Sequence, residues 1–327
     1  MNRSSRRLSH AKRNEIQGLG DDGVSNRASL VPADRFKGVY ALLLTPFQLN
    51  KEIDWEVYDR YVEWQVSHRP HGLFAVCGSS EMEYLTLQER LTLAERAVRL
   101  AGDMPVVATG NVQSDPAEHK EELQRMAETG VSGIVLIPPG SMGEDQSRLE
   151  DYFGRLADLS PIPVFLYECP LASPRFVDPD VYGRLVTQHG IAGIKDTTCT
   201  PEGIRAKIES ATGSLVFQAN MPYLLEALHS GAQGIMATIS AAAADVALAF
   251  WREAANGNRE TAERLHELLV FLDGVLGKGY PATAKHLAKL RGVPMNELTR
   301  KAKEMNDSAR QGIAVWKRAA DRTLAAL

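Results

Sequence analysis

The sequence alternates short apolar runs with amphipathic segments eight times, and this alternation limits the folds that the chain can adopt. Most of the runs are continuous and β-branched, as expected of parallel strands that are buried on both faces. Strands that alternate with helices form βαβ units, and eight units within about 200 residues suit a closed barrel better than an open sheet. We therefore predict a (β/α)8 barrel with strands at Val39–Leu44, Gly72–Cys77, Pro105–Thr109, Gly133–Ile137, Pro163–Tyr167, Ile191–Lys195, Leu215–Gln218 and Gly234–Thr238.

Helical patterns fill the intervals between these runs, and they continue alone after about Asp245. The predicted barrel helices are Trp55–Val66, Thr86–Ala101, Pro116–Thr129, Ser147–Leu159, Pro179–Gln188, Pro201–Ala211 and Tyr223–His229. Further helices are predicted at Val246–Ala255, Arg259–Leu276, Pro281–Leu290 and Asn306–Leu327. We assign residues 35–255 to the barrel and residues 256–327 to a C-terminal helical extension.

Residues 1–34 differ in composition from the rest of the chain. Arginine, lysine and serine are frequent there, and the first acidic residue is Glu15. The segment has no apolar core of the kind that a secretory signal needs. We predict a flexible basic arm; an Arg- and Ser-rich organellar transit peptide is the alternative.

Charge and composition exclude several kinds of partner. The net charge of −4 over 327 residues does not favour nucleic acid or an anionic membrane as a partner. No stretch approaches the roughly 18 apolar residues that a membrane-spanning helix requires. The three cysteines are odd in number and widely spaced, so we expect reduced thiols and a cytoplasmic location.

Lys195 lies at the end of a predicted apolar strand, in the segment Gly-Ile-Lys-Asp-Thr-Thr. Burial destabilises an ammonium group and yields a nucleophilic amine that can form a Schiff base with a carbonyl compound. Strand alternation places Lys195 and Asp196 on opposite faces, so Asp196 need not be its partner. A surface lysine paired with a neighbouring acid is the alternative interpretation of this segment.

Other polar groups follow the predicted strands at the same end of the barrel, where the active sites of such barrels lie. Tyr167 ends the fifth strand and could relay protons. The turn Gly78-Ser79-Ser80 follows the second strand and offers N–H and hydroxyl groups to a carboxylate. Thr45 follows the first strand and Ile239 follows the eighth. Together with Lys195, these groups predict a site for a 2-oxo acid held as an imine.

In this order, the motifs resemble the dihydrodipicolinate synthase / N-acetylneuraminate lyase family of pyruvate-dependent class I aldolases. The resemblance covers roughly residues 38–292, and the opening segment and Gly-Ile-Lys-Asp are its most specific parts. The matching stretches are Gly38–Phe47, Ile53–Trp55, Gly78–Ser80, Leu85–Thr86, Glu89–Arg90, Leu166–Tyr167 with Pro170, Gly193–Asp196 and Gly231–Gly234.

The resemblance implies a function and roles for particular residues. Lys195 would be the Schiff-base lysine, Tyr167 the proton relay with Ser79, and Ser79 and Ser80 the turn that binds the carboxylate. The reaction would be aldol cleavage, condensation or dehydration, with a 2-oxo acid and an aldehyde as small-molecule partners and no metal or organic cofactor. Family members are commonly homotetramers, so we expect a homotetramer or a homodimer.

The chain also departs from the family pattern. Glu81 follows Ser80 where the family has a glycine, and the loop is one residue shorter. A tyrosine pair that completes the relay is replaced by Gly140-Ser141, so Ser141 and water are the candidates to stand in. Ala172 replaces an arginine that holds a second carboxylate in the synthases, and Arg175 lies three residues further on. These changes predict a divergent member whose second substrate lacks a distal carboxylate.

The sequence also bears on three other functions. A metal-dependent lyase would need a His-x-His pair on a late strand, and the chain has no such pair. A phosphate substrate would need glycine-rich loops after the last two strands, where Asn220 and Ser240 stand instead. A barrel that binds a 2-oxo acid without turning it over remains the alternative to an enzyme.

Overall fold

The computed structural model describes residues 33–142, 144–170, 176–301 and 305–327. Eight parallel strands pair in sequence order, and the eighth pairs with the first to close a barrel. They are β1 Gly38–Leu42, β2 Gly72–Val76, β3 Val106–Thr109, β4 Gly133–Leu136, β5 Val164–Tyr167, β6 Gly193–Asp196, β7 Leu215–Gln218 and β8 Gly234–Ile235. The predicted (β/α)8 barrel is confirmed.

A helix follows each strand, and three more follow the barrel. The barrel helices are α1 Trp55–Ser67, α2 Leu87–Ala101, α3 His119–Glu128, α4 Gln146–Leu159, α5 Pro179–His189, α6 Pro201–Ser210, α7 Leu224–His229 and α8 Ser240–Ala255. The C-terminal helices are α9 Arg259–Leu276, α10 Ala282–Leu290 and α11 Asp307–Leu324. Thr86 and Glu89 form the capping box that starts α2, and Thr200 caps α6. Within the described ranges, no helix is both long and apolar enough to cross a membrane.

Aromatic rings fill the barrel interior beneath the carboxyl ends of the strands. Tyr40 and Phe165 each pack edge to face against Phe217, with ring centroids 5.5 Å and 6.1 Å apart. Gly193 and Gly234 make room for these rings, because a Cβ atom there would lie 2.9 Å from the Phe165 ring and 2.4 Å from the Phe217 ring. This packing leaves the carboxyl ends of the strands as the place for a site.

The last βα unit differs in detail from the sequence prediction. β8 ends at Ile235, and α8 begins at Ser240, well before the predicted start at Val246. The Ser240 hydroxyl donates to the Tyr40 carbonyl oxygen at 2.7 Å, so the chain turns early and is held against β1. The backbone is non-helical at Ala243. An unbroken alanine run has no amphipathic pattern, which is why the sequence did not reveal this first turn.

The predicted N-terminal arm, residues 1–34, lies outside the described residues except at its last two positions. Those two residues begin a short 3-10 helix at Ala33–Phe36, directly before β1. Phe36 is buried and packs edge to face on Phe165, with 5.0 Å between the ring centroids. The described chain therefore starts with an element anchored in the barrel.

Candidate active site

Lys195 is buried in the barrel interior at the carboxyl end of β6, with 4% of the residue exposed. Its Nζ atom lies 4.0 Å from the centroid of the Tyr167 ring and 5.6 Å from that of Phe74. Burial lowers the pKa of Lys195 to about 8, although the thiols of Cys77 and Cys169 act in the opposite direction. At pH 7 roughly one amine in ten is then neutral, against fewer than about one in a thousand for an unperturbed lysine.

Asp196 lies on the outer face of β6, as strand alternation predicted. Its carboxylate accepts hydrogen bonds from Lys207 on α6 at 3.2 Å and from Gln218 on β7 at 2.9 Å. Lys207 also pairs with Glu168, and all three charged side chains are buried. Asp196, which follows Lys195 in the chain, and Glu168, which follows Tyr167, are therefore both paired with Lys207. Desolvation is the main influence on the Lys195 amine.

Tyr167 ends β5 directly beside Lys195, since the two residues are register partners across the strand pair. Burial raises the pKa of Tyr167 well above its usual value, and the nearby Cys169, Cys77 and Tyr280 add to the effect. The phenol is therefore protonated at neutral pH. A protonated phenol beside the Lys195 amine is suited to passing a proton to an oxygen that leaves as water.

The predicted carboxylate-binding turn forms a 3-10 helix at Gly78–Ser80. The Ser80 hydroxyl is used inside the turn: it accepts from Cys77 N–H at 2.8 Å and donates to the Cys77 carbonyl oxygen at 2.7 Å. Thr45 supports the same turn by donating its hydroxyl to the Ser80 carbonyl oxygen at 2.7 Å. The backbone N–H groups of Ser80 and Glu81 also bond within the turn, whereas those of Gly78 and Ser79 have no partner inside it.

Glu81, which stands where the family has a glycine, adopts a left-handed backbone conformation. Its φ of 59° lies in the left-handed region, which glycine occupies more readily than other residues. Its buried carboxylate accepts from Lys285 Nζ at 2.7 Å and from Arg300 N–H at 2.7 Å. The C-terminal extension thus fixes the residue that ends the turn. The sequence indicated the missing glycine but not this compensation, because Lys285 is remote in the chain.

Tyr280, between α9 and α10, also reaches the turn. Its hydroxyl donates to Ser79 Oγ at 2.5 Å, across a separation of 201 residues. Burial raises the pKa of Tyr280 well above its usual value, although the bond to Ser79 acts in the opposite direction. Sequence reasoning missed this residue, since no motif or periodicity at Gly279-Tyr280-Pro281 points toward the barrel.

The remaining predicted site residues lie further from these contacts or serve the scaffold. Ile239 is fully buried immediately before α8. Ser141 is exposed on a 3-10 turn, Gly140–Met142, where it lines a cleft of about 500 Å³ together with Asn111 and His119. Ala172 and Arg175 lie outside the described residues.

Polar groups at the ends of β7 and β8 extend the mouth of the barrel. The Asn220 side-chain nitrogen is buried and has no hydrogen-bond partner among the residues described. Thr238 donates its hydroxyl to Asp273 on α9 at 3.1 Å, and burial raises the pKa of Asp273 above its usual value. The groups that follow these two strands are thus an amide, a hydroxyl and a carboxyl group, and none of the three is cationic.

A metal centre finds no support in the part of the chain that the structure describes. There, no group of three or more histidine, cysteine, aspartate or glutamate side chains is arranged to hold a metal ion. His68 and His71 lie at the amino end of β2, opposite Lys195, and His71 Nδ1 accepts from Val39 N–H at 3.1 Å. The histidines most suggestive in the sequence are therefore remote from the site.

Sequence comparison with known proteins finds an enzyme family and its members. A model of the dihydrodipicolinate synthetase family matches residues 35–314. The 4-hydroxy-tetrahydrodipicolinate synthase of an Exiguobacterium strain is 27% identical over 260 residues, which is 79% of this chain and 88% of that protein. The Oceanobacillus iheyensis synthase is 25% identical over 85% of this chain and 95% of its own length.

Solved structures show the same fold. YagE, a prophage protein of E. coli K12 crystallised with pyruvate, superposes with a TM-score of 0.81 at 21% identity, covering 88% of this chain and 99% of YagE. A monomeric dihydrodipicolinate synthase variant gives a TM-score of 0.83 at 20% identity, covering 89% of this chain and 99% of the variant.

The family model and the curated relatives together identify the protein as a lyase or aldolase of the class I, Schiff-base type. The chain belongs to the dihydrodipicolinate synthetase family, since the family model spans most of its length. The low identity to individual members marks it as a divergent one.

Proposed function

We propose that the Lys195 amine attacks the ketone carbon of a pyruvate-like 2-oxo acid or a 2-keto-3-deoxy sugar acid and forms an imine. The observation that carries this proposal is the buried Lys195 amine, with a pKa of about 8, held against the Tyr167 ring. Pyruvate in the YagE structure supports a 2-oxo acid as the substrate.

The bonding changes follow from this geometry. The amine lone pair forms a C–N bond, and the ketone oxygen takes up protons and leaves as water. The resulting protonated imine accepts the electron pair of a breaking C–C bond, and the same step in reverse gives condensation. An enamine can instead expel a hydroxyl group, which gives dehydration. Neither a metal ion nor an organic cofactor is required.

Tyr167 and Ser79 are the proposed proton carriers. Tyr167 lies beside Lys195 and is protonated, so it can donate to the departing oxygen and recover a proton afterwards. We place the substrate carboxylate on the turn Gly78–Ser80, where the N–H groups of Gly78 and Ser79 have no partner inside the turn. Ser80 and Thr45 then hold the shape of the turn.

The second substrate or leaving fragment is proposed to carry hydroxyl groups and no distal carboxylate. Asn220 follows β7, and Asp273 on α9 accepts a hydrogen bond from Thr238, which follows β8. A carboxyl group near these strand ends disfavours a second anion. We expect hydroxylated aldehydes, or the sugar acids formed from them, to be turned over at least about tenfold faster than analogues with a distal carboxylate, an advantage of about 1.4 kcal/mol. Measuring kcat/KM across matched aldehydes checks this, and a clear preference for the dicarboxylic product would contradict it.

Trapping the imine tests the central proposal. Borohydride treatment with pyruvate is expected to add one reduced pyruvate per chain, and peptide mapping should place it on Lys195. Lys285 offers a matched control within the same chain, because burial also lowers its pKa to about 8. Its amine donates to Glu81 and to the Leu298 carbonyl oxygen, so it should stay unmodified.

The rate of trapping should also depend on pH. Only the neutral amine attacks the ketone, so the rate should rise toward pH 8 and level off above it, as the Lys195 pKa of about 8 requires. A rate that still climbs near pH 10 would indicate an unperturbed lysine. Failure of every 2-oxo acid to add would favour the alternative, a barrel that binds such acids without imine chemistry.

We also propose that the protein is an oligomer of the cytoplasm. Family membership supports a homotetramer or a homodimer, although a monomeric variant of a dihydrodipicolinate synthase also exists. Cysteine usage supports the cytoplasm. Sedimentation of the purified chain would establish its assembly state.

A further inference from the structure

Ser79 makes a hydrogen bond with a defined direction. Its Oγ accepts the hydroxyl proton of Tyr280 at 2.5 Å, and a serine hydroxyl has one proton of its own to donate. With one lone pair occupied by Tyr280, the Ser79 proton is left for an acceptor elsewhere. Ser79 is only 2% exposed and belongs to the turn proposed to meet the substrate, so that acceptor can lie on the substrate side.

We propose that Tyr280 is the last protein member of the proton relay, and that it is supplied by the same chain. Tyr280 acts on the substrate only through Ser79, so it is a positioning residue. It orients the Ser79 hydroxyl, and it replaces the proton that Ser79 passes inward by donating its own. Its phenol then recovers a proton from the water side. This inference rests on the proposed imine chemistry.

The relay is balanced over one turnover. During imine formation, the amine loses a proton and the ketone oxygen leaves as water, so protons must be delivered to that oxygen and returned afterwards. Tyr167 donates a proton to the reacting oxygen. Ser79 replaces the proton that was used on the substrate side, and Tyr280 in turn replaces the proton of Ser79. No net proton is kept by any of the three hydroxyl groups, and no oxidant or further reactant is needed.

The contact between Tyr280 and Ser79 is one of several contacts between the C-terminal extension and the loop that follows β2. The same extension holds Glu81, two residues after Ser79, through the buried Lys285 amine and through Arg300 N–H. The proximity of Tyr280 is also one of the causes that raise the pKa of Tyr167, which places the two phenols in one electrostatic environment. The hydroxyl groups of Tyr280 and Ser79 are therefore held in a constant position relative to the candidate active site.

Replacing Tyr280 by phenylalanine removes one oxygen and tests the relay. Tyr182 offers a control, since its hydroxyl contacts Ser214 Oγ at 2.7 Å in a buried tyrosine–serine pair at the amino end of β7, away from the carboxyl ends of the strands. We expect Tyr280→Phe to lower kcat by roughly 10²-fold, as the loss of general acid–base assistance typically does. KM for the 2-oxo acid should change by less than about threefold, and borohydride should still trap one adduct. Tyr182→Phe should leave kcat unchanged.

A second variant keeps the test decisive if Tyr280→Phe folds poorly. Ser79→Ala removes the acceptor and leaves Tyr280 in place, so it should lose at least as much kcat. The double variant should lose no more than Ser79→Ala alone, because both residues act in one path. Additive losses, or a raised KM with unchanged kcat, would overturn the relay and leave Tyr280 as a structural tether.

Mixing experiments test whether the relay belongs to one chain. Tyr280→Phe chains mixed and reassembled with Lys195→Met chains should show no activity above the residual turnover of the Tyr280→Phe chains, because neither chain has both groups. Recovery would show that the tyrosine acts across a subunit boundary and would overturn the assignment. Absence of an adduct on the wild-type chain would instead refute the imine itself, so the two failures are distinguishable.

Discussion

Replacing Lys195 by methionine is expected to abolish turnover and, at neutral pH, to make the protein more stable. Methionine fills the space beside Phe74 and Tyr167 but cannot form an imine. The kcat should therefore fall by on the order of 10⁴-fold or more, as when the nucleophile of a covalent mechanism is lost. Turnover of a 2-oxo acid substrate and borohydride trapping measure this loss, and any residual adduct on another lysine would contradict the assignment.

The gain in stability follows from the pKa of Lys195. Its folded value of about 8 lies below the ordinary value of 10.5, so the unfolded chain binds the proton more tightly. The fold therefore bears a penalty of about 3 kcal/mol below pH 8, at 1.36 kcal/mol per pH unit of displacement. The penalty fades as the pH rises from 8 to 10.5 and vanishes above that. Urea unfolding at pH 7 and pH 10 should show the gain of Lys195→Met shrinking.

Lys285→Met is the control with the opposite expected sign. Lys285 is also buried and its pKa is also about 8, but its amine is paired with the buried Glu81. Removing one partner of a buried pair leaves an uncompensated charge, so this variant should lose stability. Equal effects of the two substitutions would contradict the distinction between an unpaired nucleophile and a structural lysine.

The barrel itself could be predicted from the sequence because strands and helices leave local periodic patterns. The predicted bounds of α9, Arg259–Leu276, match the structure, and β7 matches at Leu215–Gln218. Positions at the ends of neighbouring strands also follow from the fold, which is how Lys195 and Tyr167 could be placed together. The predicted start of α8, at Val246, was wrong because the pattern vanishes in the alanine run that begins this helix at Ser240.

Contacts between the extension and the barrel could not be predicted in the same way. Tyr280 meets Ser79 across 201 residues, and Lys285 meets Glu81 across 204. Neither pair leaves a spacing signal, since its geometry depends on how α10 packs on the barrel. The use of the Ser80 hydroxyl inside its own turn was equally invisible, because a Gly-Ser-Ser motif shows donors but not their direction.

Replacing Lys207 by methionine is expected to destabilise the protein by about 3–5 kcal/mol, the usual cost of removing one partner of a buried ion pair. Lys207 donates to Glu168, to Asp196 at 3.2 Å and to Thr198 at 2.7 Å, and it is 3% exposed. Without Lys207, the buried carboxylates of Glu168 and Asp196 lose the cation that they share. They also directly follow Tyr167 and Lys195 in the chain, so kcat should fall as well.

The pH dependence of this loss has a definite sign. Burial already raises the pKa of Glu168 above its ordinary value of 4.5 despite the opposing charge of Lys207, and removal of that charge raises it further. A carboxyl group that binds its proton more tightly when folded loses stability as the pH rises above its unfolded pKa. Urea midpoints should therefore show a larger loss for Lys207→Met at pH 8 than at pH 5.

Two further variants separate this explanation from a general packing defect. Adding Glu168→Gln to Lys207→Met removes one unpaired charge and should recover part of the lost stability, mainly at high pH. Arg184→Met breaks the exposed pair with Glu150 on the barrel surface, where solvent screens the charges, and should change little. If the loss for Lys207→Met were the same at both pH values and Glu168→Gln recovered nothing, the buried charges would not be its cause.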